Sequence, residues 1–304
     1  MTQPGIPNEF SLSTACYGTR LATIEAQAFA AVAMGFRRLE LGLTENPVPL
    51  TGFEDSQRET GIEVRSLVTG CLNPLSEHMA GTKLGSLDSE LRERAVLSCR
   101  RHVQLALRLG CPTVILRGCQ IENQDLLDRG NALRTRLAKE GPEEGLVEEI
   151  RAFVARVQKK GQSQLDHFCR SIHKLRGEFP EIRLAVEPGR SFIDLLNFEA
   201  MEWVLDDQRG LAYWHDTGTV HLRERAGLPG QGEWLERYRE RLVGAHLQDA
   251  AEGVAYMPPG LGEVDFRLVV DSMPADAEKV IEVDPRHGRS EVLASVQFLI
   301  DRGF

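Results

Sequence analysis

The chain lacks several features that would each point to a function. It has no excess of basic side chains: 36 Lys and Arg stand against 45 Asp and Glu, a net charge of -9 over 304 residues. A nucleic-acid surface needs clustered cations to meet phosphates, so no nucleic-acid partner is expected. No apolar run exceeds strand length, so no transmembrane helix and no membrane partner are expected. The start "MTQPGIPNEF" has neither a basic segment nor an apolar core, so no secretory signal is expected and the cytoplasm is the expected compartment. The six cysteines, at 16, 71, 99, 111, 119 and 169, form no CxxC pair. Reduced thiols are the simplest expectation for them. Neither GxGxxG nor GxxxxGK[ST] occurs, which argues against a doubly wound nucleotide-binding sheet. No low-complexity linker divides the chain, so residues 1–304 are expected to form one domain.

What is present is a regular alternation of short apolar runs and helical patterns. The strand candidates are "FSLSTACYG" (10–18), "RRLELGL" (37–43), "IEVRSLVTG" (62–70), "TVILRG" (113–118), "RLAVEP" (183–188), "GLAYWHD" (210–216), "LVGAHLQD" (242–249) and "KVIEVDP" (279–285). Amphipathic stretches separate them, two of which end at Gly35 and Gly110 as plausible C-caps. The long stretch 143–180 is interrupted near Gly161 and reads as a solvated outer helix. Eight β-then-α units predict a single (β/α)8 TIM barrel of the α/β class. Residues 119–145 read as an insertion or loop, and 70–86 as a long loop over the barrel mouth.

Catalytic groups of such barrels stand at the C-terminal ends of strands. From the fifth strand on, those ends carry Glu187, Asp216, His246 and Glu282, at intervals of 29, 30 and 36 residues. Each interval is one βα unit, so the four side chains can converge. Three carboxylates at close range repel one another and raise one another's pKa, a conflict that a divalent cation removes. Oxygen ligands with one nitrogen suit Mn²⁺, favoured here, or Mg²⁺ or Co²⁺; Zn²⁺ is a further possibility. The alternative is that Glu187 and Glu282 pair with arginines and that His246 is a core histidine.

The motifs "LAVEP", "YWHDTG", "GAHLQD", "PPGLGEVDF" and "VIEVDP" resemble those of the xylose isomerase-like TIM barrels, the superfamily of sugar phosphate isomerases and epimerases. The resemblance implies one divalent metal held by Glu187, Asp216, His246 and Glu282, with Glu187 and Glu282 also acting as catalytic acid and base on opposite sides of a sugar. It departs in two places. Thr219 stands where the superfamily has the histidine of Asp-x-x-His, leaving His221 as a substitute substrate contact. No arginine follows in "QDAAEGVAYMPPG". Related barrels are often dimers or tetramers, so a homo-oligomer is compatible with the resemblance.

Arg117, at the fourth strand end, is placed either for a substrate oxygen or for a neighbouring carboxylate. Arg190 is placed to clamp a substrate carboxylate or to pack in a lid. Tyr17 and Trp214 could wall the sugar site, and for Trp214 core packing is the simpler role. His215 alternates with Asp216 and should face away from it. Asp265 is expected to cap the helix after "MPPGLGEVDF". The expected function is metal-dependent isomerisation or epimerisation of a small sugar, ketose or polyol derivative, by proton transfer through an enediolate. The alternatives are an inosose-dehydratase-like lyase, an endonuclease-IV-like phosphodiesterase or a non-catalytic sugar-binding barrel.

Overall fold

Short β-branched and leucine-rich runs bounded by glycine and polar turns can bury both faces, and parallel strands need that. The computed structural model, which describes residues 5–44, 48–72 and 83–304, places eight of them in a closed barrel. The strands are β1 (Phe10–Ser13), β2 (Arg38–Leu41), β3 (Glu63–Val68), β4 (Thr113–Arg117), β5 (Arg183–Glu187), β6 (Ala212–Asp216) and β7 (Leu242–Leu247). A two-stranded antiparallel hairpin follows, β8 (Asp249–Ala251) and β9 (Val254–Met257), and β10 (Glu278–Ile281) closes the barrel between β7 and β1. All barrel pairings are parallel. The expected (β/α)8 barrel is therefore the fold found.

The helices are α1 (Ile24–Met34), α2 (Phe53–Thr60), α3 (Ser89–Leu109), α4 (Gln124–Glu140), α5 (Glu144–Lys160) and α6 (Gln162–Glu178). They continue with α7 (Phe198–Asp207), α8 (Thr217–Arg225), α9 (Gln231–Tyr238), α10 (Phe266–Ser272) and α11 (Arg289–Ile300). Gly35 and Gly110 close α1 and α3 in the left-handed conformation, at φ 107° and 68°. Asp265 caps α10 by accepting from the Arg267 and Leu268 amides. The long stretch 143–180 breaks at Gly161 into α5 and α6, whose apolar faces are buried rather than wholly solvated.

Two stretches differ from the sequence expectation. Residues 124–140 form helix α4, not a loop. Its inward positions are Leu126, Gly130 and Leu133, and Gly130 leaves a hole in the apolar pattern; a Cβ there would lie 2.4 Å from Ile193. "QDAAEGVAYM" forms the hairpin β8–β9, with Glu252 and Gly253 both at positive φ, the geometry of a tight two-residue turn. Of the expected mouth loop 70–86, residues 73–82 lie outside the described residues.

Strand alternation sorts the core into two layers. Phe10, Leu39, Val114, Leu184 and Tyr213 belong to the large layer under the helices. Inside the barrel, Val68, Ile115, Ala185, Ala212, Trp214 and Val280 form a small cluster. Trp214 fills that interior, with its ring centroid 5.4 Å from that of His246. The N-terminal end of the barrel is closed by ion pairs, Arg65 Nη2 lying 2.8 Å from Glu278 Oε1 and Arg38 Nη1 3.6 Å from Glu278 Oε2. All six cysteines are buried, and burial pushes the Cys16 thiol up to about 12.

Candidate metal centre

Glu187 and Asp216 are the last residues of β5 and β6; His246 is the penultimate residue of β7, and Glu282 directly follows β10. All four are buried, at 1%, 0%, 0% and 2% exposure. Parallel register sets Asp216 beside His246 and Arg117 beside Glu187. The barrel thus brings the four sequence-singled residues to one end. His246 Nδ1 lies 3.2 Å from Glu187 Oε2 and 3.8 Å from Glu282 Oε2. Ligand atoms of Glu187, Asp216 and His246 lie within 4.8 Å of one another, and so do those of Glu40, His246 and Glu282.

Glu40, which the sequence reasoning missed, is fully buried on β2. Its Oε2 lies 3.0 Å from His246 Nε2 and accepts from the Ser66 hydroxyl at 2.8 Å. This is the carboxylate–histidine pairing that orients a ligating imidazole and strengthens it as a donor. Gln248, also missed, donates from Nε2 to Glu282 Oε2 at 3.2 Å, while its Oε1 accepts from the Tyr256 amide at 2.7 Å. Both carried a period-two signal. Glu40 sits between Leu39 and Leu41, and Gln248 follows His246 by two.

Three cations face these carboxylates. Arg117, buried, has Nε 2.5 Å from Glu187 Oε1. Burial works against its charge, but Glu187, Glu282 and Asp216 outweigh that and raise its pKa. Arg190 has Nη2 3.4 Å from Asp216 Oδ2 and 3.7 Å from Glu282 Oε2, and Nε 3.9 Å from Glu187 Oε1. Its guanidinium stacks 4.8 Å above the Tyr256 ring. Burial opposes protonation of His246, yet Glu40 and Glu282 hold its pKa well above the usual value. On Glu40 the imidazolium and the Ser66 and Ser13 hydrogen bonds overcome burial and lower the pKa. For Glu282 burial prevails over the His246 and Arg117 cations and pushes the carboxyl up to about 7.

His221 is not drawn into the cluster; its Nε2 lies 3.6 Å from Glu263 Oε2. Thr219 sits in the first turn of α8, where its amide donates to Asp216 Oδ1 at 2.8 Å. His215 faces away from Asp216, between the Tyr213 hydroxyl (2.7 Å) and Gln231 Oε1 (2.6 Å), and burial lowers it to about 4.

The donor set fits a hard divalent cation. Both Glu187 oxygens and His246 Nδ1 are buried and held only by ion-pair contacts, Oε1 with Arg117 and Oε2 with His246 Nδ1, without a well-aligned hydrogen bond, and buried polar atoms so poorly satisfied are costly. With His246 protonated, Glu40, Glu187 and Asp216 match the three neighbouring cations, and Glu282 adds a fourth carboxyl that burial pushes up to about 7. The arginine pairing foreseen as the alternative is also present, Arg117 meeting Glu187 Oε1 and Arg190 meeting Asp216 and Glu282, while neither arginine reaches His246 Nδ1. The rim is stiff: Asp249 accepts from the amides of Gly260 (2.8 Å), Gly262 (2.9 Å) and Val264 (2.9 Å), which pins the loop after β9.

No protein-family model matches the chain, and no curated protein matches its sequence. Solved structures do match its shape. A D-allulose 3-epimerase from Methylomonas sp., in complex with D-allulose, is 13% identical, with 99% of each chain covered and a TM-score of 0.65. An IolI protein with a bound zinc atom is 10% identical, covering 96% of this chain and 95% of that one, at TM-score 0.60. Endonuclease IV from Thermus thermophilus is 14% identical, covering 97% and 98%, at TM-score 0.58. Such identities show the fold alone, a (β/α)8 TIM barrel.

Proposed function

We propose that this protein is a divalent-metal-dependent isomerase or epimerase of a small sugar, ketose or polyol derivative. The observation that carries this reading is the convergence of Glu187, Asp216, His246 and Glu282 at one buried point, with Glu187 and Glu282 within 3.2 and 3.8 Å of His246 Nδ1 and ligand atoms of Glu187, Asp216 and His246 within 4.8 Å of one another. Glu187, Asp216, His246 and Glu282 would hold the cation, Mn²⁺ being favoured for a set of three carboxylates and one imidazole. When bound, it supplies Lewis-acid stabilisation of negative charge on substrate oxygens.

The protein's own groups supply the proton chemistry. One of Glu187 and Glu282 takes a carbon-bound proton and the other returns one. Burial raises the Glu282 carboxyl in the metal-free protein, and a bound cation would lower it again. Gln248 fixes that carboxyl by hydrogen bonding. Return of the proton to the opposite face gives epimerisation, and return to the adjacent carbon gives isomerisation. Expulsion of a hydroxyl after the same first step gives the lyase alternative. A phosphodiesterase is disfavoured because "VTGC" and "LRGC" at the third and fourth strand ends provide no histidine for further metals.

The test is hydrogen exchange. With Mn²⁺ and a ketose panel in D₂O, the wild type should incorporate deuterium at carbon. Glu282→Gln and Glu187→Gln should each slow incorporation by about 10²–10⁴-fold while still binding metal by elemental analysis. Normal exchange in both metal-loaded variants would place the base elsewhere.

A further inference from the structure

A cavity of about 460 Å³, within the volume range of small-molecule sites, has Arg190 in its wall. It lies between the end of α4, the segment after β5, α8 and the turn of the β8–β9 hairpin. Arg190 is shared between cavity and cluster: it lines the cavity while its Nη2 stands 3.4 Å from Asp216 Oδ2. Three more arginines face the same space, Arg134, Arg223 and Arg225, against one exposed carboxylate, Glu252. Phe192 and Leu222 give it apolar walls.

The local charge runs against the whole. A chain of net charge -9 has gathered four guanidiniums around one cavity. Arg225 is paired with Glu263 at 3.0 Å. Arg223 and Arg134 are not so paired: among the described residues no carboxylate lies within 4 Å of either. Arg223 is 4% exposed and donates to the Gly189 carbonyl at 2.9 Å and the Ser191 carbonyl at 3.1 Å. Carbonyls satisfy its N–H groups, and its buried charge is offset only beyond contact distance, by Asp194 and Glu199. Arg134, exposed, has one weak contact, 3.5 Å to Asn131 Oδ1.

Arg190 is held rather than free. Tyr256 supports its guanidinium from a non-glycine backbone at φ 62°, a conformation that costs energy unless its surroundings enforce it. Here the Tyr256 amide donates to Gln248, and its carbonyl accepts from the Asp284 amide at 2.8 Å.

We infer that this cavity is the subsite for an oxyanion carried by the substrate, a carboxylate or a phosphate ester. Arg190 is its specificity-determining residue, and Arg134 and Arg223 supply the balancing charge. The substrate would then be an acid or ester of a polyol rather than a neutral sugar. Its polyol end lies at the carboxylate cluster and its anionic end lies past Arg190. This deepens the proposed function and rests on it for the polyol end.

The test is calorimetric binding to the full chain with D-glucitol, D-gluconate and D-glucitol 6-phosphate, which share a carbon skeleton. It is run in chelator at about 0.1 M salt, so that neither metal nor turnover enters. Both acids, or one of them, should bind at least about 10-fold more tightly than glucitol. The tighter acid identifies carboxylate or phosphate as the natural group. Arg190→Gln and the exposed Arg134→Gln should each weaken the preferred acid by about 10- to 100-fold, as expected for a lost charge-assisted hydrogen bond, while Arg58→Gln at a distant exposed site changes nothing. Equal binding of acid and polyol, no binding of either acid, or undiminished acid binding by both cavity variants overturns the inference. Metal content is measured in parallel. Acid preference without metal uptake would sink the metal-dependent function and spare the subsite; metal uptake without acid preference would do the reverse.

Discussion

His246 has two nitrogens with two different neighbours: Glu40 at 3.0 Å from Nε2, and Glu187 at 3.2 Å from Nδ1. Glu40 therefore acts on a bound cation in two opposing ways. It makes Nδ1 a stronger donor, and removing such a partner typically costs about 10–100-fold in metal affinity. It also stabilises the imidazolium, which must lose its Nδ1 proton before Nδ1 can ligate. With the His246 pKa held well above its usual value, wild-type metal affinity should fall as pH falls, with release of a proton on binding. Glu40→Gln weakens both effects. At pH 9 it should bind Mn²⁺ about 10–100-fold more weakly than wild type, and at pH 6 the gap should narrow because the variant competes less with protons. Mn²⁺ titration by electron spin resonance at the two values checks this; a gap that widens toward acid would contradict it. At this scale the sequence was legible where a residue ended a strand in step with its neighbours, as Glu187, Asp216, His246 and Glu282 do. Glu40 and Gln248 were missed because a charged or amide residue inside an apolar strand reads as outward-facing, whereas in a closed barrel the second face is also an interior.

At the level of elements, the strands were legible because their apolar runs are bounded by polar turns, though several are shorter than the runs suggest. In "FSLSTACYG" the strand stops at Ser13, whose side chain accepts from the Ala15 amide and turns residues 14–17 into a 3₁₀ helix. Helix α4 and the β8–β9 hairpin were not legible, since the first buries a glycine on its inner face and the second turns on Glu252-Gly253 instead of an asparagine–glycine pair. Glycine also sets the barrel interior beneath the candidate metal centre. A Cβ on Gly244 of β7 would lie 2.4 Å from Trp214 Cζ3, and Trp214 packs against His246. Gly244→Ala should therefore overpack the interior, at a cost of about 1–3 kcal/mol, and weaken Mn²⁺ binding by tilting His246. Gly145→Ala in α5, where a Cβ meets nothing within 4 Å, should instead stabilise by about 0.5–1 kcal/mol. Urea unfolding of both variants checks the pair. If Gly244→Ala proved neutral, the indole could shift freely and would not support the imidazole.

Across the whole molecule, closure of the barrel ties the ends of the chain together, with β1 paired to β10 through Phe10 and Lys279. The cluster crosses the same ring. Glu40 comes from β2, Glu187 and Asp216 from β5 and β6, His246 from β7, and Glu282 from the end of β10. A cation at that cluster would bind only the closed barrel, because the unfolded chain scatters its ligands over the 95-residue span from Glu187 to Glu282. Binding confined to the native state stabilises it by mass action, about 2.7 kcal/mol when free metal stands at 100 times its Kd. At about 2.1 cal/mol/K of unfolding entropy per residue, a 304-residue chain moves its melting temperature by about 1.6 °C per kcal/mol, so Mn²⁺ should raise Tm by roughly 4 °C, and a chelator should return it. Arginine pairing alone predicts no such shift, since Arg117 and Arg190 are present with or without metal. His246→Ala removes the one nitrogen ligand and should melt at the same temperature in metal and in chelator. Scanning calorimetry of both proteins under both conditions decides. A wild type whose Tm ignores Mn²⁺, or a His246→Ala variant that keeps the full shift, would mean that these strand-end residues do not hold the cation.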